Sequence, residues 1–88
     1  MRLVIVEWRD IIQTSGRESE EEVQCPVIRS VGWVIPSEDP KTIKICNTIA
    51  PEDFDEKKDG KGYGITAFPK GCIQKIEYLT CEVTAVVD

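Results

Sequence analysis

The chain contains no histidine. That removes the one unperturbed side chain that titrates near neutral pH, and with it the Ser-His and Cys-His nucleophile pairs and every His-containing metal site. Leucine and methionine are scarce, at 2 and 1, against 11 Ile, 9 Val and 6 Thr. Side chains branched at Cβ lose rotamer freedom on a helix and pack well on a pleated surface, so this imbalance points to a mainly β protein. No apolar run approaches the roughly 20 residues that span a bilayer. The amino-terminal RLVIVEW is short, is interrupted by Glu7 and lacks a small-residue cleavage pattern, so the chain is expected to be cytoplasmic, unexported and without a membrane partner. Bases are the minority charge, 11 Lys and Arg against 16 Asp and Glu, for a formal net charge of -5. Such a surface repels a phosphate backbone, so nucleic acid is not the expected partner.

What is present fits one small domain over residues 1–88, with 41% hydrophobic residues to fill a single core. Residues 2–8 form a nearly continuous apolar run, as expected of a central strand covered on both faces. Asp10 and Gly16 bracket a segment whose caps suit one short helical turn. Residues 17–22 (RESEEE) carry four acids, one base and no apolar side chain, the pattern of a solvated loop. A second strand is expected over Val27–Ile35, with Gly32 marking a bend, a bulge or a close backbone approach. Pro36 and Pro40 break the chain before a third strand over residues 42–50, where Ile43, Ile45 and Ile49 share one face and Lys44, Cys46 and Thr48 the other. These two runs form a hairpin.

Residues 51–62 (PEDFDEKKDGKG) read as the longest polar loop. A fourth strand follows over residues 63–68, then a tight turn at Pro69-Lys70-Gly71. The fifth strand begins at Cys72, runs to residue 83 and extends towards residue 87, with a change of parity near Lys75 that signals a bulge. Five strands separated by turn signals predict a small antiparallel barrel of the SH3-like or Sm-like kind, with an OB-type barrel as the alternative.

Few groupings carry chemistry. The cysteines at positions 25, 46, 72 and 81 are 21, 26 and 9 residues apart, without the paired knuckles of a zinc site. They read as reduced structural thiols, with Cys25 the most exposed and no base in sight to activate it. An EF-hand begun at Asp55 would set Lys57 among the ligands and Thr66 in place of the bidentate glutamate, which repels rather than binds calcium. Gly60-Lys61-Gly62-Tyr63-Gly64 precedes a strand, so no helix N-terminus stands ready to hold phosphate. Neither a cofactor nor a catalytic set is expected, and the chain is read as non-enzymatic.

The aromatic residues Trp8, Trp33, Tyr63 and Phe68 are the candidates for partner contact. The alternative reading, single-stranded nucleic acid on an Sm-like or OB-like surface, would stack bases on Trp8, Trp33, Phe68 and Tyr78. The basic residues are scattered singly and do not favour it. The leading expectation is a protein-binding or structural accessory module that uses a sheet edge or its acidic loops, the partner being another protein or a second copy.

Trp8-Arg9-Asp10, Val31-Gly32-Trp33 and Phe68-Pro69-Lys70-Gly71 occur in an order that resembles a group of small phage- and prophage-encoded proteins of uncharacterised function. The similarity runs over residues 4–79, although Arg17 stands where that pattern carries a second early tryptophan. The resemblance implies an accessory role in a virus or prophage and transfers no functional residues.

Overall fold

A computed structural model describes residues 2–53 and 61–80. Five strands make up a single antiparallel sheet: β1 (Leu3–Arg9), β2 (Val27–Ile35), β3 (Thr42–Thr48), β4 (Tyr63–Pro69) and β5 (Ile73–Leu79). Their order across the sheet is β4-β3-β2-β1-β5, so β1 is an inner strand flanked by β2 and β5. The mainly β expectation holds, and the only helical pieces among the described residues are single 3-10 turns at Glu20–Glu22, Pro51–Asp53 and Lys70–Cys72.

The inner face is built by alternation. Val4, Val6 and Trp8 stand opposite Gly32, Ser30 and Ile28 of β2 and opposite Tyr78, Ile76 and Ile73 of β5. Val4, Val6, Ile45 and Phe68 form the buried cluster, with Trp8, Val34, Ile73 and Ile76 packed against it. Trp8 and Phe68 meet with ring centroids 5.5 Å apart and planes inclined at 58°, a tilted aromatic pair. Since β1 and β4 are separated by two strands in the sheet, that contact requires the sheet to curl strongly over its inner face. The Trp8 indole N–H donates to Ser30 Oγ at 3.0 Å, so the half-buried ring satisfies its one polar atom.

The sheet curls without closing. No ladder joins β4 to β5 among the described residues, and both remain edge strands. The expected barrel is therefore corrected to an open, curled sheet. Turn signals and alternation report strands and local pairing, whereas closure depends on twist accumulated over all five strands.

Two further expectations are corrected. Among the described residues β1 is covered fully only on its inner face, where Val4 and Val6 are buried, whereas Leu3 and Ile5 on the other side are half-buried with no second layer over them. The segment from Asp10 to Gly16 forms no helical turn. Asp10 accepts from the adjacent Ile11 N–H at 2.8 Å, a one-residue reach that caps nothing, and a single turn does not repay the cost of nucleation. The 3-10 turn lies instead in the acidic run, at Glu20–Glu22.

Other local expectations hold. β2 has its expected bounds and pairs with β3 as a hairpin. Gly32 is a close approach, since a Cβ there would lie 2.6 Å from the Cys46 carbonyl oxygen. The register between β1 and β5 shifts between Glu7 and Trp8, passing from Lys75 to Ile73, where the parity change signals a bulge. The continuation of β5 past residue 80, the calcium-like loop at Asp55, Asp59 and Gly60, and Cys81 lie outside the described residues.

Candidate functional site

Among the described residues no second layer packs over the outer face of the sheet. Strand pairing aligns Leu79, Leu3, Trp33, Cys46 and Ile65 in one row that crosses all five strands. The arrangement follows from parity: each of these residues alternates with an inward neighbour, so placing Val4 and Ile45 in the core turns Leu3 and Cys46 outward. Beside this row stand Ile5 and Val31, paired with each other, and Tyr63 at the start of β4. Several of these side chains are open to solvent: Tyr63 is 67% exposed, Val31 54%, Ile65 51% and Leu79 37%.

Cys46, between Trp33 and Ile65 in the row, has no exposed surface. The main chain at Gly62 sits over it, so closely that a Cβ on Gly62 would lie 2.6 Å from the sulfur. Burial pushes the Cys46 thiol pKa up, because the thiolate would lose its hydration. Cys25 is exposed and Cys72 is half-buried, and both are free thiols. Among the described residues no three Cys, Asp or Glu side chains converge in a manner that would hold a metal ion.

Charges border the apolar row on one side. Arg29 Nε lies 3.0 Å from Glu7 Oε1, and Lys75 Nζ lies 2.7 Å from Glu77 Oε1. Their hydrogen bond and mutual charge lower the Glu77 carboxyl and raise the Lys75 ammonium pKa. Lys75–Glu77 is solvent-exposed and Arg29–Glu7 is exposed at the arginine, so both contribute little to stability. They fix the polarity of the border.

A second feature lies at the seam where the curled sheet fails to close. An open groove of about 240 Å³ runs from Ile76 and Tyr78 on β5 to Thr42, Ile43 and Lys44 on β3 and to Lys70. Its wall is held by the loop between β2 and β3. Asp39 accepts from the Lys41 N–H at 2.9 Å and from Thr42 Oγ1 at 2.8 Å, and Ser37 Oγ donates to the Asp39 carbonyl at 3.2 Å. The Lys70 N–H donates to the Lys41 carbonyl at 2.8 Å, which ties the turn after β4 to this loop. These two hydrogen bonds to its carboxylate hold Asp39 below the usual aspartate range, and the nearby positive charges of Lys44 and Lys70 add to the effect. Arg2 stacks over Tyr78, its guanidinium carbon 4.7 Å from the ring centroid.

The four aromatic candidates are divided by the fold. Trp8 and Phe68 come together inside, where Phe68 is only 3% exposed and serves the core. Trp33 and Tyr63 stand on the outer face, Trp33 within the apolar row and Tyr63 on the edge strand. Tyr78, the other ring that a base-stacking surface would need, lines the seam groove beneath Arg2. The aliphatic members of the row, Leu3, Ile65 and Leu79, carry no signature beyond alternation, and only the register shows that they align. Lys44 and Lys70 are 26 residues apart in the chain and come to the same groove through the pairing of β3 with β4, which sets Thr42 opposite Pro69.

No protein-family model, curated protein or solved structure matches the chain. No helix among the described residues is long and apolar enough to cross a membrane.

Proposed function

We propose that this chain is a small non-enzymatic binding module that contacts a protein, either a different chain or a second copy, through the outer face of its sheet and the edge strand β4. The observation that carries the reading is the apolar row Leu79-Leu3-Trp33-Cys46-Ile65, which crosses every strand on a face where, among the described residues, only the main chain at Gly62 lies over Cys46, and which ends on an exposed edge. Contiguous apolar surface of this kind marks interaction sites. An unpaired edge beside it supplies main-chain donors and acceptors to a partner strand. The absence of histidine from the sequence supports a binding role over a catalytic one. The resemblance of its Trp8-Arg9-Asp10, Gly32-Trp33 and Pro69-Lys70-Gly71 elements to phage and prophage proteins supports a viral accessory role for the module.

The test compares the wild type with Ile65→Lys, which puts a charge in the exposed end of the row. Size is measured by native mass spectrometry and sedimentation across a concentration series, and partner capture is run in parallel. Self-association or a specific partner is expected with the wild type and is lost in the variant, while circular dichroism shows the fold retained. An inert monomer in both proteins would defeat the reading.

A further inference from the structure

The seam groove combines three properties. Its floor is apolar, formed by Val34, Ile35, Ile43 and Ile76. Lys44 and Lys70 stand at its rim, and neither ammonium makes an ion pair or hydrogen bond with another side chain among the described residues. One wall is β5, whose only partner strand among the described residues is β1, so no described strand pairs with the N–H and C=O groups of its second edge. In a chain of net charge -5, a site that gathers Lys44 and Lys70 beside Arg2 is a local reversal of sign.

Size decides what kind of occupant fits. At about 240 Å³ the groove is smaller than the roughly 300–1,000 Å³ of sites that enclose a drug-sized molecule. It has room for one or two aliphatic side chains whose main chain lies outside, along the β5 edge. The alternation of a strand sends every second side chain to one face, so a strand added to β5 would direct alternate residues towards Ile43 and Ile76.

We infer that the seam groove binds an extended acidic peptide segment of a partner protein, which adds to the free edge of β5, seats an aliphatic side chain against Ile43 and Ile76, and places a carboxylate between Lys44 and Lys70. The inference rests on the protein-binding reading above and names the chemistry of the segment recognised. Only one sign of charge is complementary to the rim. Asp39, which lines the groove with the two lysines, has its carboxylate already engaged by the Lys41 N–H and the Thr42 hydroxyl.

The experiment uses the full chain, labelled with 15N, and a synthetic peptide of alternating valine and glutamate with blocked ends. A peptide of alternating valine and lysine and free glutamate serve as comparisons. The valine-glutamate peptide is expected to move the amide signals of Ile43, Ile76 and Tyr78 and to bind about tenfold or more tightly than the valine-lysine peptide. The double charge reversal Lys44→Glu with Lys70→Glu should invert that preference. Both lysines lie at the surface, and a superimposable spectrum of the free variant shows its fold intact.

Equal binding of the two peptides overturns the inference. So does an equal response to free glutamate, which would mark a simple anion site. Signals that move on β4 and the outer face, sensitive to Ile65→Lys but not to the lysine reversals, would sink the groove and leave the protein-binding reading standing. Lack of response to either peptide at on the order of 1 mM, the weak end of specific recognition, removes the groove as a site, whereas the reading it rests on falls only with the inert monomer described above.

Discussion

Gly64 holds φ at +64°, the left-handed region, within the edge strand β4. A side chain there meets two costs, the backbone conformation itself and the Asn47 side chain, against which a Cβ would press. Gly64→Ala is expected to lower stability by about 1–2 kcal/mol from the conformation alone, read as a reduced urea midpoint. The thiols make a second test at this scale. Cys25 is exposed, whereas Cys46 is covered and its thiol pKa is raised by burial. Iodoacetamide at mildly alkaline pH should label Cys25 first and leave Cys46 unmodified until the protein unfolds. Peptide mapping by mass spectrometry reads the order, and early labelling of Cys46 would contradict the packing of Gly62 over it.

Among elements, β4 depends on one side chain for its inward anchorage. Phe68 alone of its seven residues is buried, and it alone reaches the core cluster. Phe68→Ala removes the partner of Trp8 at a cost of about 3–5 kcal/mol. That is comparable to the whole stability a core of this size supplies, so hydrogen exchange should show β4 opening and the domain losing its cooperative transition. The loop between β2 and β3 has an acid dependence. The Asp39 carboxyl is depressed by its hydrogen bonds to Lys41 and Thr42, so its contribution is present above the unfolded value of about 3.9. It is lost as pH falls through the lower folded value. Asp39→Asn should flatten that acid limb in a series of thermal melts between pH 2 and 5, and an unchanged limb would show that the carboxylate is not what holds the loop.

For the whole molecule, the surface pairs Arg29–Glu7, exposed at the arginine, and Lys75–Glu77 compete with the self-repulsion of a net charge of -5. Exposed pairs are weak, so screening should relieve more repulsion than attraction. The melting temperature of the protein is expected to hold or rise when salt is added, and a clear fall would show that these pairs matter more than their exposure suggests. Contacts through the outer apolar row should likewise persist in salt, whereas seam binding, which depends on Lys44 and Lys70, should weaken as screening increases. The two surfaces can thus be separated by ionic strength alone.

Much of the fold was legible from local chemistry. The bounds of β2 follow from a β-branched run closed by Pro36, and the β1–β5 bulge follows from the parity change near Lys75. The proposed helical turn after Asp10 failed because capping residues alone do not supply a helix long enough to stand. The site was less legible. Aromaticity singled out Trp8 and Phe68, which the core consumes, together with Trp33 and Tyr63, which lie outside. Leu3, Ile65, Lys44 and Lys70 went unmarked because nothing local distinguishes an outward leucine or a rim lysine from any other.

The sequence by itself determined the chemistry that is missing and the kind of element that forms, because the lack of histidine and the excess of β-branched side chains act residue by residue. The tertiary structure decided what the elements enclose. Alignment of five strands into one outward row, contact between Trp8 and Phe68, and the gap left between β5 and β3 all depend on register and accumulated twist. Those quantities are set by side chains distant in sequence that meet only once the sheet has curled.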